Sequence, residues 1–214
     1  MMMEFCGRAH EMTSDSSNPS SPIQPHAYVP RMCVGLVHYP IKDRAGKVIA
    51  TNVTNFDIHD IARASKVYGV ERYYIIHPMK EQLMFVDRVL DHWRVGTGSS
   101  YNPKRRTALT DVYTAPSLEA AIQDWGVPCL KIATHARSVE GVPPYTFSEL
   151  RKVMHEEQKP IFLILGTGFG LTTEFMQSCD GILESIRGAP PEDYRHLSVR
   201  SAASICLDRL MGPW

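Results

Sequence analysis

The sequence predicts an α/β protein whose mostly parallel sheet carries helices on both faces. Residues 161–165 are five consecutive apolar residues, typical of a strand buried on both faces inside a parallel sheet. Three glycines follow at alternate positions, Gly166, Gly168 and Gly170. Segments with strand and helix character alternate through the chain from about residue 32, which favours crossover helices and a parallel sheet.

Composition bounds the class of protein. The 214 residues are 43% hydrophobic, which is enough for one α/β domain with a full core. Lys+Arg and Asp+Glu both total 23, so bulk charge does not favour nucleic acid, and any such partner requires a local patch. The five cysteines are scattered without a CxxC pair, which favours a reducing compartment over a disulfide framework or a zinc site. No apolar run approaches the roughly 20 residues of a membrane span and no secretory signal is recognisable, so we expect a cytoplasmic protein without membrane or metal.

Residues 1–30 are predicted to be a disordered leader. They contain the polar run 13–22 followed by Pro25 and Pro30, and such a segment buries too little apolar surface to offset the entropy of ordering. Residues 31–214 are predicted to form one domain, because they show no internal repeat.

The elements follow from apolar periodicity and from turn and cap residues. Strands are predicted at 32–39, 72–76, 109–113, 128–133, 161–165 and 180–186. Helices are predicted at 57–68, 80–95, 118–125, 148–155 and 197–210. Thr54 or Asn55 is the expected N-cap of the first helix, and Ser117 and Gly126 are expected to flank the third. The glycine-rich, basic segment 96–106 is expected to be a loop.

Three loops of the C-terminal half are predicted to meet at one edge of the sheet, because each is placed after a strand. They are residues 134–138, 166–170 and 195–201. Together they offer backbone amides, small hydroxyls and apolar side chains, a mixture suited to a neutral aromatic base with a ribose. A tight strand-to-helix turn without a ligand is the alternative for the glycine segment.

A dinucleotide site is the competing interpretation of the glycine turn. Leu171 stands where G-x-G-x-x-G requires its third glycine, while Glu184 lies near the distance expected of a ribose-binding acid. Only 30 residues follow Glu184, whereas a nucleotide fold usually opens with its glycine turn and continues through further strands. A P-loop is excluded, because the glycine turn is not followed by Lys and Ser or Thr.

Three segments in a fixed order resemble the three motifs of the SPOUT RNA methyltransferases. They are Asn55-Phe-Asp-Ile-His-Asp-Ile-Ala-Arg63 ahead of Tyr68-Gly-Val70, Leu165-Gly-Thr-Gly-Phe-Gly-Leu171, and Leu197-Ser-Val-Arg-Ser-Ala-Ala-Ser-Ile205. The sequence is similar in particular to a bacterial branch often encoded beside the tRNA guanine-37 methyltransferase. The resemblance covers residues 32–214 and implies a C-terminal trefoil knot, S-adenosylmethionine (SAM) bound in that knot, a homodimer, and tRNA or rRNA as substrate.

The resemblance also implies which residues surround the cofactor, mainly through backbone groups. By position they are Thr134, Leu165, Gly166, Gly168, Leu197, Val199 and Ser201. His135, Thr167 and Gly170 lie in the same loops and are candidates with them. Two positions depart from relatives that methylate ribose: the glycine turn lacks an acidic residue, and Ser198 stands where asparagine is expected. The choice between base and ribose therefore stays open.

The first helix supplies the candidate catalytic residues. They are Asn55, Asp57, His59, Asp60 and Arg63, of which Asp57, His59 and Asp60 are the candidate bases. Methyl transfer from a sulfonium has a neutral leaving group, so the demand on the protein is a base that removes the proton of the acceptor. The resemblance implies that Arg63 takes the place of the first-motif arginine of many relatives, and we expect it to have the main role, fixing a phosphate or stabilising the deprotonated acceptor. A merely solvated polar helix face is the alternative.

The segment 101–106 combines an aromatic residue with three cations, Tyr101 with Lys104, Arg105 and Arg106. Stacking on the tyrosine and phosphate contacts by the cations suit single-stranded RNA, with a log–log salt slope of roughly −2 for three contacts. A solvated basic turn is the alternative.

The sequence therefore predicts a cytoplasmic SAM-dependent RNA methyltransferase that acts as a dimer. A SAM-binding or RNA-binding module without catalysis and, less favoured, an NAD-type oxidoreductase are the other interpretations.

Overall fold

The computed structural model describes residues 28–213, in which seven strands form one sheet with parallel pairing throughout. They are β1 (Met32–Val37), β4 (Arg72–Ile76), β5 (Val112–Ala115), β6 (Leu130–Thr134), β7 (Pro144–Tyr145), β8 (Ile161–Gly166) and β9 (Gly181–Leu183). Their order is β5-β4-β1-β8-β6-β9-β7, so the apolar strand β8 is the central strand. Two short strands, β2 (Ile41–Lys42) and β3 (Val48–Ile49), form a separate antiparallel hairpin.

Helices cover both faces of the sheet, as predicted. They are α1 (Asn55–Val67), α2 (Lys80–Arg94), α3 (Thr97–Tyr101), α4 (Pro103–Leu109), α5 (Leu118–Trp125), α6 (Phe147–His155), α7 (Thr173–Gln177) and α8 (Val199–Met211). Residues of α1, α2, α4, α6 and α8 form one apolar core with the sheet, and α5 and α7 contribute to a second core on the opposite face. The predicted α/β class is therefore confirmed.

Cap residues explain where the predicted helices begin and end. The Thr54 hydroxyl accepts a hydrogen bond from the amide of Asp57, so Thr54, not Asn55, is the N-cap of α1. The Ser117 hydroxyl does the same for α5, and Gly126 ends that helix with φ of 69°.

The expectation of a loop at 96–106 is wrong, because this segment forms most of α3 and α4. The side chain of Asn102 accepts a hydrogen bond from the amide of Arg105, and Pro103 occupies the first turn of α4, where its missing N–H costs nothing. The strand expected at 109–113 consequently begins only at Val112, because Leu109 still belongs to α4.

Short elements account for the other differences. The last strand ends at Leu183 rather than 186. The strands β2, β3 and β7 and the helix α7 were not predicted, because segments of two to five residues carry little periodicity. Residues 1–27 of the predicted leader lie outside the described residues. Within 28–213, no helix combines the length and the apolarity that crossing a membrane requires.

Candidate functional site

A cavity of about 860 Å³ opens at the carboxyl edge of the sheet, where the three predicted loops meet. The residues that line it are Thr51, Asn52, Thr54, Asp57, Thr134, His135, Ala136, Arg137, Leu165, Gly166, Thr167, Gly168, Phe169, Gly170, Glu184, Ser185, Ile186, Arg195, His196, Leu197, Ser198, Val199, Arg200, Ala202 and Cys206. Ligand cavities span roughly 300–1,000 Å³, so this one accommodates a ligand of nucleoside size. The predicted convergence of the loops is confirmed.

The glycine turn after β8 exposes bare backbone to this cavity. Gly168 and Gly170 have φ of 55° and 98°, in the left-handed region that other residues rarely adopt. A side chain at Gly166 would place its Cβ 2.8 Å from Leu171 Cγ. The Lys42 amide donates to the carbonyl of Gly170 over 2.9 Å, which holds the β2–β3 hairpin against the turn.

A polar network of buried and half-buried side chains supports the glycine turn. The hydroxyls of Thr51 and Thr167 lie 2.5 Å apart, and Thr51 Oγ1 lies 3.1 Å from Nδ1 of His38. The amide of Met79 donates to Nδ1 of His77, so Nε2 of that ring donates to the Thr51 carbonyl, 3.1 Å away. Burial, together with the neighbouring His77, lowers the pKa of His38 to about 4, so both rings are neutral at ordinary pH.

The segment before α8 is shaped by the N-cap of that helix. The Ser198 hydroxyl accepts a hydrogen bond from the Ser201 amide, which turns Ser201 into the helix and leaves Leu197 on the cavity wall. Across the cavity, Glu184 accepts a hydrogen bond of 2.6 Å from the amide of Phe147. The carboxylate considered for a dinucleotide ribose is thus engaged by the N-terminus of α6.

An ion pair joins α1 to α8 at the mouth of the cavity. Asp57 is only 4% exposed, and its two oxygens accept from the Thr54 hydroxyl at 2.6 Å and from Nη1 of Arg200 at 2.8 Å. Nε of Arg200 lies 3.5 Å from Asp60, and the guanidinium lies over the ring of Phe56. Asp57 therefore anchors an arginine from the other end of the domain.

The structure brings together all but one of the candidate cofactor-binding residues. Those that line the cavity are Thr134, His135, Leu165, Gly166, Thr167, Gly168, Gly170, Leu197 and Val199. Ser201 does not line it, and its amide donates a hydrogen bond to the Ser198 hydroxyl, which does line it.

Only one of the five candidate catalytic residues lines the cavity. Asp57 lines the cavity, whereas Asn55, His59, Asp60 and Arg63 do not. His59 contacts Trp93 edge-on with ring centroids 5.6 Å apart, and burial, followed by the charge of Arg105, lowers its pKa. Arg63 is exposed on the helix surface.

The candidate RNA-binding residues lie on α3 and α4. Tyr101 is 87% exposed, and Lys104 and Arg106 are exposed as well. Arg105 is half-buried, with its guanidinium 4.4 Å from the centroid of Trp93. The structure thus leaves two of the three cations open to solvent.

Several cavity residues were not predicted. Thr51 and Asn52 come from the connection between β3 and α1, and Arg137 and Arg200 add positive charge. Arg200 lies within the third motif segment and follows the N-cap Ser198 by two residues, which is the signal that could have identified it. Within residues 28–213, no three His, Cys, Asp or Glu side chains are grouped so as to hold a metal ion.

A family model for SAM-dependent RNA methyltransferases matches residues 31–212. The chain belongs to this family. It is 42% identical over 181 residues to a tRNA (guanine-N(1)-)-methyltransferase of Oleidesulfovibrio alaskensis, and 38% identical over 182 residues to one of Nitratidesulfovibrio vulgaris. Each match covers 83% of this chain but 41% of the relative, so the chain spans less than half the length of these methyltransferases. An uncharacterized protein of Aquifex aeolicus is 36% identical over 83% of this chain and 86% of its own length.

Solved structures support the fold. TrmJ of Z. mobilis superimposes with a TM-score of 0.56 at 16% identity, over 87% of this chain and 70% of that one. A SAM-bound rRNA methyltransferase of Sinorhizobium meliloti superimposes with a TM-score of 0.51 at 13% identity, over 87% of this chain and 57% of that one. The predicted resemblance to the SPOUT RNA methyltransferases is confirmed, and with it the SAM dependence of the family.

Proposed function

We propose that this chain transfers the methyl group of SAM to a nucleotide of tRNA or rRNA at the cavity beside the glycine turn. The observation that carries this proposal is the convergence of three loops on one cavity of about 860 Å³ in a chain of the SAM-dependent RNA methyltransferase family. The relatives named tRNA (guanine-N(1)-)-methyltransferase support tRNA as the substrate class.

The lining residues fit the cofactor. SAM supplies a methyl group activated on a positively charged sulfur. In our proposal, Leu165, Leu197 and Val199 desolvate the adenine ring, while the bare backbone at Gly166 and Gly168 hydrogen-bonds to it and to the ribose. The lining set Thr134, His135, Thr167 and Gly170 completes the proposed cofactor site.

We assign the main catalytic role to Arg63. Its guanidinium is exposed and enters no ion pair within residues 28–213, so it is available to a phosphate or a deprotonated acceptor. Among the candidate bases, Asp57 already accepts a hydrogen bond on each of its two oxygens. The other two, His59 and Asp60, lie on α1 outside the cavity, as does Asn55. Because Arg63 does not line the cavity of its own chain, it can act only on RNA that crosses α1 or on the cavity of a second copy.

A homodimer and a trefoil knot belong to the same proposal. Large apolar side chains are exposed around the cavity mouth, with Phe56 and Phe169 exposed by 68% and 65%, and these suit a contact with a second copy. We further propose, from the resemblance to the SPOUT methyltransferases, that the segment leading into α8 passes through a preceding loop. Four cysteines of the described residues are free thiols, which suits a reducing cytoplasm.

The experiment is the transfer of isotope-labelled methyl groups from SAM into RNA isolated from a strain that lacks the protein. The wild-type protein should label this RNA, and Arg63→Ala should reduce the rate roughly 10²–10³-fold, the cost of losing a group that stabilises developing charge. Arg88→Ala, which removes an exposed arginine of α2, is the matched control and should retain the rate. SAM binding without any transfer would instead indicate a non-catalytic module, and near-normal transfer by Arg63→Ala would refute its role.

A further inference from the structure

A second cavity, of about 460 Å³, lies on the flank of α2 away from the cofactor cavity. Its lining residues are His92, Trp93, Thr97, Gly98, Ser100 and Tyr101. None of them lines the first cavity, so the two cavities are separate. Four of these six residues belong to α3, which the sequence alone had suggested to be a loop.

A tryptophan and a tyrosine side chain, Trp93 and Tyr101, contribute to its walls. Trp93 is held in one orientation, because His92 and His59 contact it edge-on with centroids 4.9 and 5.6 Å away, and Arg105 lies over the ring. Tyr101 is 87% exposed and keeps its ring open to solvent. The cavity therefore offers one fixed and one accessible aromatic surface for a flat ligand.

The backbone of α3 approaches Trp93 closely. A Cβ at Gly98 would lie 2.7 Å from Cε3 of Trp93 and 2.9 Å from Nε2 of His92, so only glycine permits this packing. The exposed polar side chains of His92, Thr97 and Ser100 stand around the opening. They can form hydrogen bonds with the edge of a heterocycle that enters between the rings.

The segment formed by α3 and α4 carries positive charge. Residues 97–110 contain three cations and no acidic residue, and Lys104 and Arg106 point away from the core. Phosphates next to a base in the cavity would therefore meet cations on the adjoining helix.

The helix α1 has the proposed methylation site on one side and contacts a wall of the second cavity on the other. Asp57 lines the cofactor cavity, and His59, on the other side of the same helix, contacts Trp93. A helix with its side chains is about 10–12 Å across, so a flexible strand of RNA can occupy both places at once. Arg63, exposed on α1, belongs to the same stretch of surface.

We propose that the cavity formed by α3 and the end of α2 binds an unpaired nucleobase of the RNA, one that is not the methylated nucleotide. The base stacks on Tyr101 and against Trp93, and its neighbouring phosphates contact Lys104 and Arg106. This inference rests on the proposed function in one respect, that RNA is the substrate. It adds Trp93, His92 and Gly98 to the residues that recognise it.

The test compares two probes, a short unstructured RNA oligonucleotide and a strand of the same length made of abasic ribose phosphate units. Tyr101→Ala should weaken binding of the first probe about tenfold and leave binding of the second unchanged, because stacking on one aromatic ring is removed. The oligonucleotide with bases should also quench tryptophan fluorescence, and Trp93→Phe should abolish that quenching. Tyr28→Ala removes a tyrosine that does not line this cavity and is the control, with wild-type affinity for both probes.

Three results would overturn the subsite. They are unchanged affinity of Tyr101→Ala for the base-containing strand, an equal loss on both probes, and self-association of the protein that depends on Tyr101 while RNA affinity does not. Each would leave the proposed methyl transfer standing, because labelling of RNA from SAM is measured separately. Failure of that labelling, with base-dependent binding at Tyr101 intact, would refute the proposed function and leave the subsite.

Discussion

At the scale of single residues, Gly168 shapes the glycine turn that lines the cavity. Its φ of 55° is costly for alanine, and a Cβ would lie 3.2 Å from Cγ2 of Ile41. We expect Gly168→Ala to lower the free energy of unfolding by roughly 1–2 kcal/mol and to weaken SAM binding about tenfold.

Gly46→Ala provides the matched control for this substitution. Gly46 also has a positive φ, of 81°, but a Cβ there meets nothing within 4 Å. The control should lose similar stability and bind SAM as the wild type does, as measured by urea denaturation and titration calorimetry. If both variants bound SAM equally well, the glycine turn would not contact the cofactor.

The Asp57–Arg200 pair shows how one residue depends on a partner far along the chain. Arg200→Met should destabilise the protein by about 1–3 kcal/mol, because the buried carboxylate of Asp57 loses a charged donor. Asp60→Asn, at an exposed carboxylate 3.5 Å from Nε of Arg200, should stay within about 0.5 kcal/mol of wild type. Urea denaturation distinguishes the two, and equal effects would contradict a special role for the buried pair.

The pairing of Asp57 with Arg200 could not be predicted from the sequence. Asp57 was a candidate base because it sits in the first turn of a helix within a recognised motif. Its partner lies 143 positions later, and no local pattern connects the two. Whether a carboxylate acts as a base or as an anchor depends on which donors surround it, and those donors come from packing.

At the scale of elements, the network of His38, His77 and Thr51 joins β1, β4 and the glycine turn. Folding lowers the pKa of His38 from 6.5 to about 4, so the unfolded chain takes up the proton first as pH falls. Stability is full above pH 6.5 and decreases between pH 6.5 and about 4, by up to about 3 kcal/mol from this group.

Urea denaturation across that pH range tests this expectation. His38→Gln should be less stable than the wild type above pH 6.5, because it loses the packing around the buried ring, but its stability should fall less as the solution is acidified. His77 and His59, whose pKa values burial also lowers, contribute to the dependence that remains in this variant. A variant with the full pH dependence of the wild type would exclude His38 as the titrating group.

The elements themselves were predicted well where periodicity extended over several turns or a long apolar run. α1, α2, α5, α6 and α8 were recognised, as were β1, β4 and β8. The segment 96–106 was misassigned, because its glycines and basic residues are typical of loops, while the structure stabilises α4 through Asn102 and Pro103 and packs Gly98 on Trp93. Tertiary contact there overrides local propensity.

At the scale of the whole molecule, charge is balanced, so the proposed RNA binding must depend on local cations. With Arg105 packed on Trp93, two exposed cations remain on α4, Lys104 and Arg106. The slope in question is that of the logarithm of the RNA-binding constant against the logarithm of the salt concentration. Replacing both residues by alanine should make this slope less steep by about 1.4 for single-stranded RNA, rather than by the roughly 2 that three phosphate contacts imply.

Salt titrations of RNA binding measure this slope. Replacing Lys152 and Lys159 by alanine removes two exposed cations elsewhere and should leave the slope unchanged. A change of about 2 on also replacing Arg105 would show that its guanidinium leaves Trp93 to contact phosphate.

The sequence by itself determined the α/β class, the parallel sheet with β8 at its centre, the meeting of three loops at one edge and membership of the methyltransferase family. These features are encoded locally, in apolar runs, caps and glycines of fixed spacing, and in motifs whose order is readable along the chain. Only the tertiary structure decided that Arg200 engages Asp57, and that His59 packs on Trp93, which lines a second cavity together with α3. These arrangements join residues distant in sequence, and their energies arise from burial and hydrogen bonding that exist only once the chain is packed.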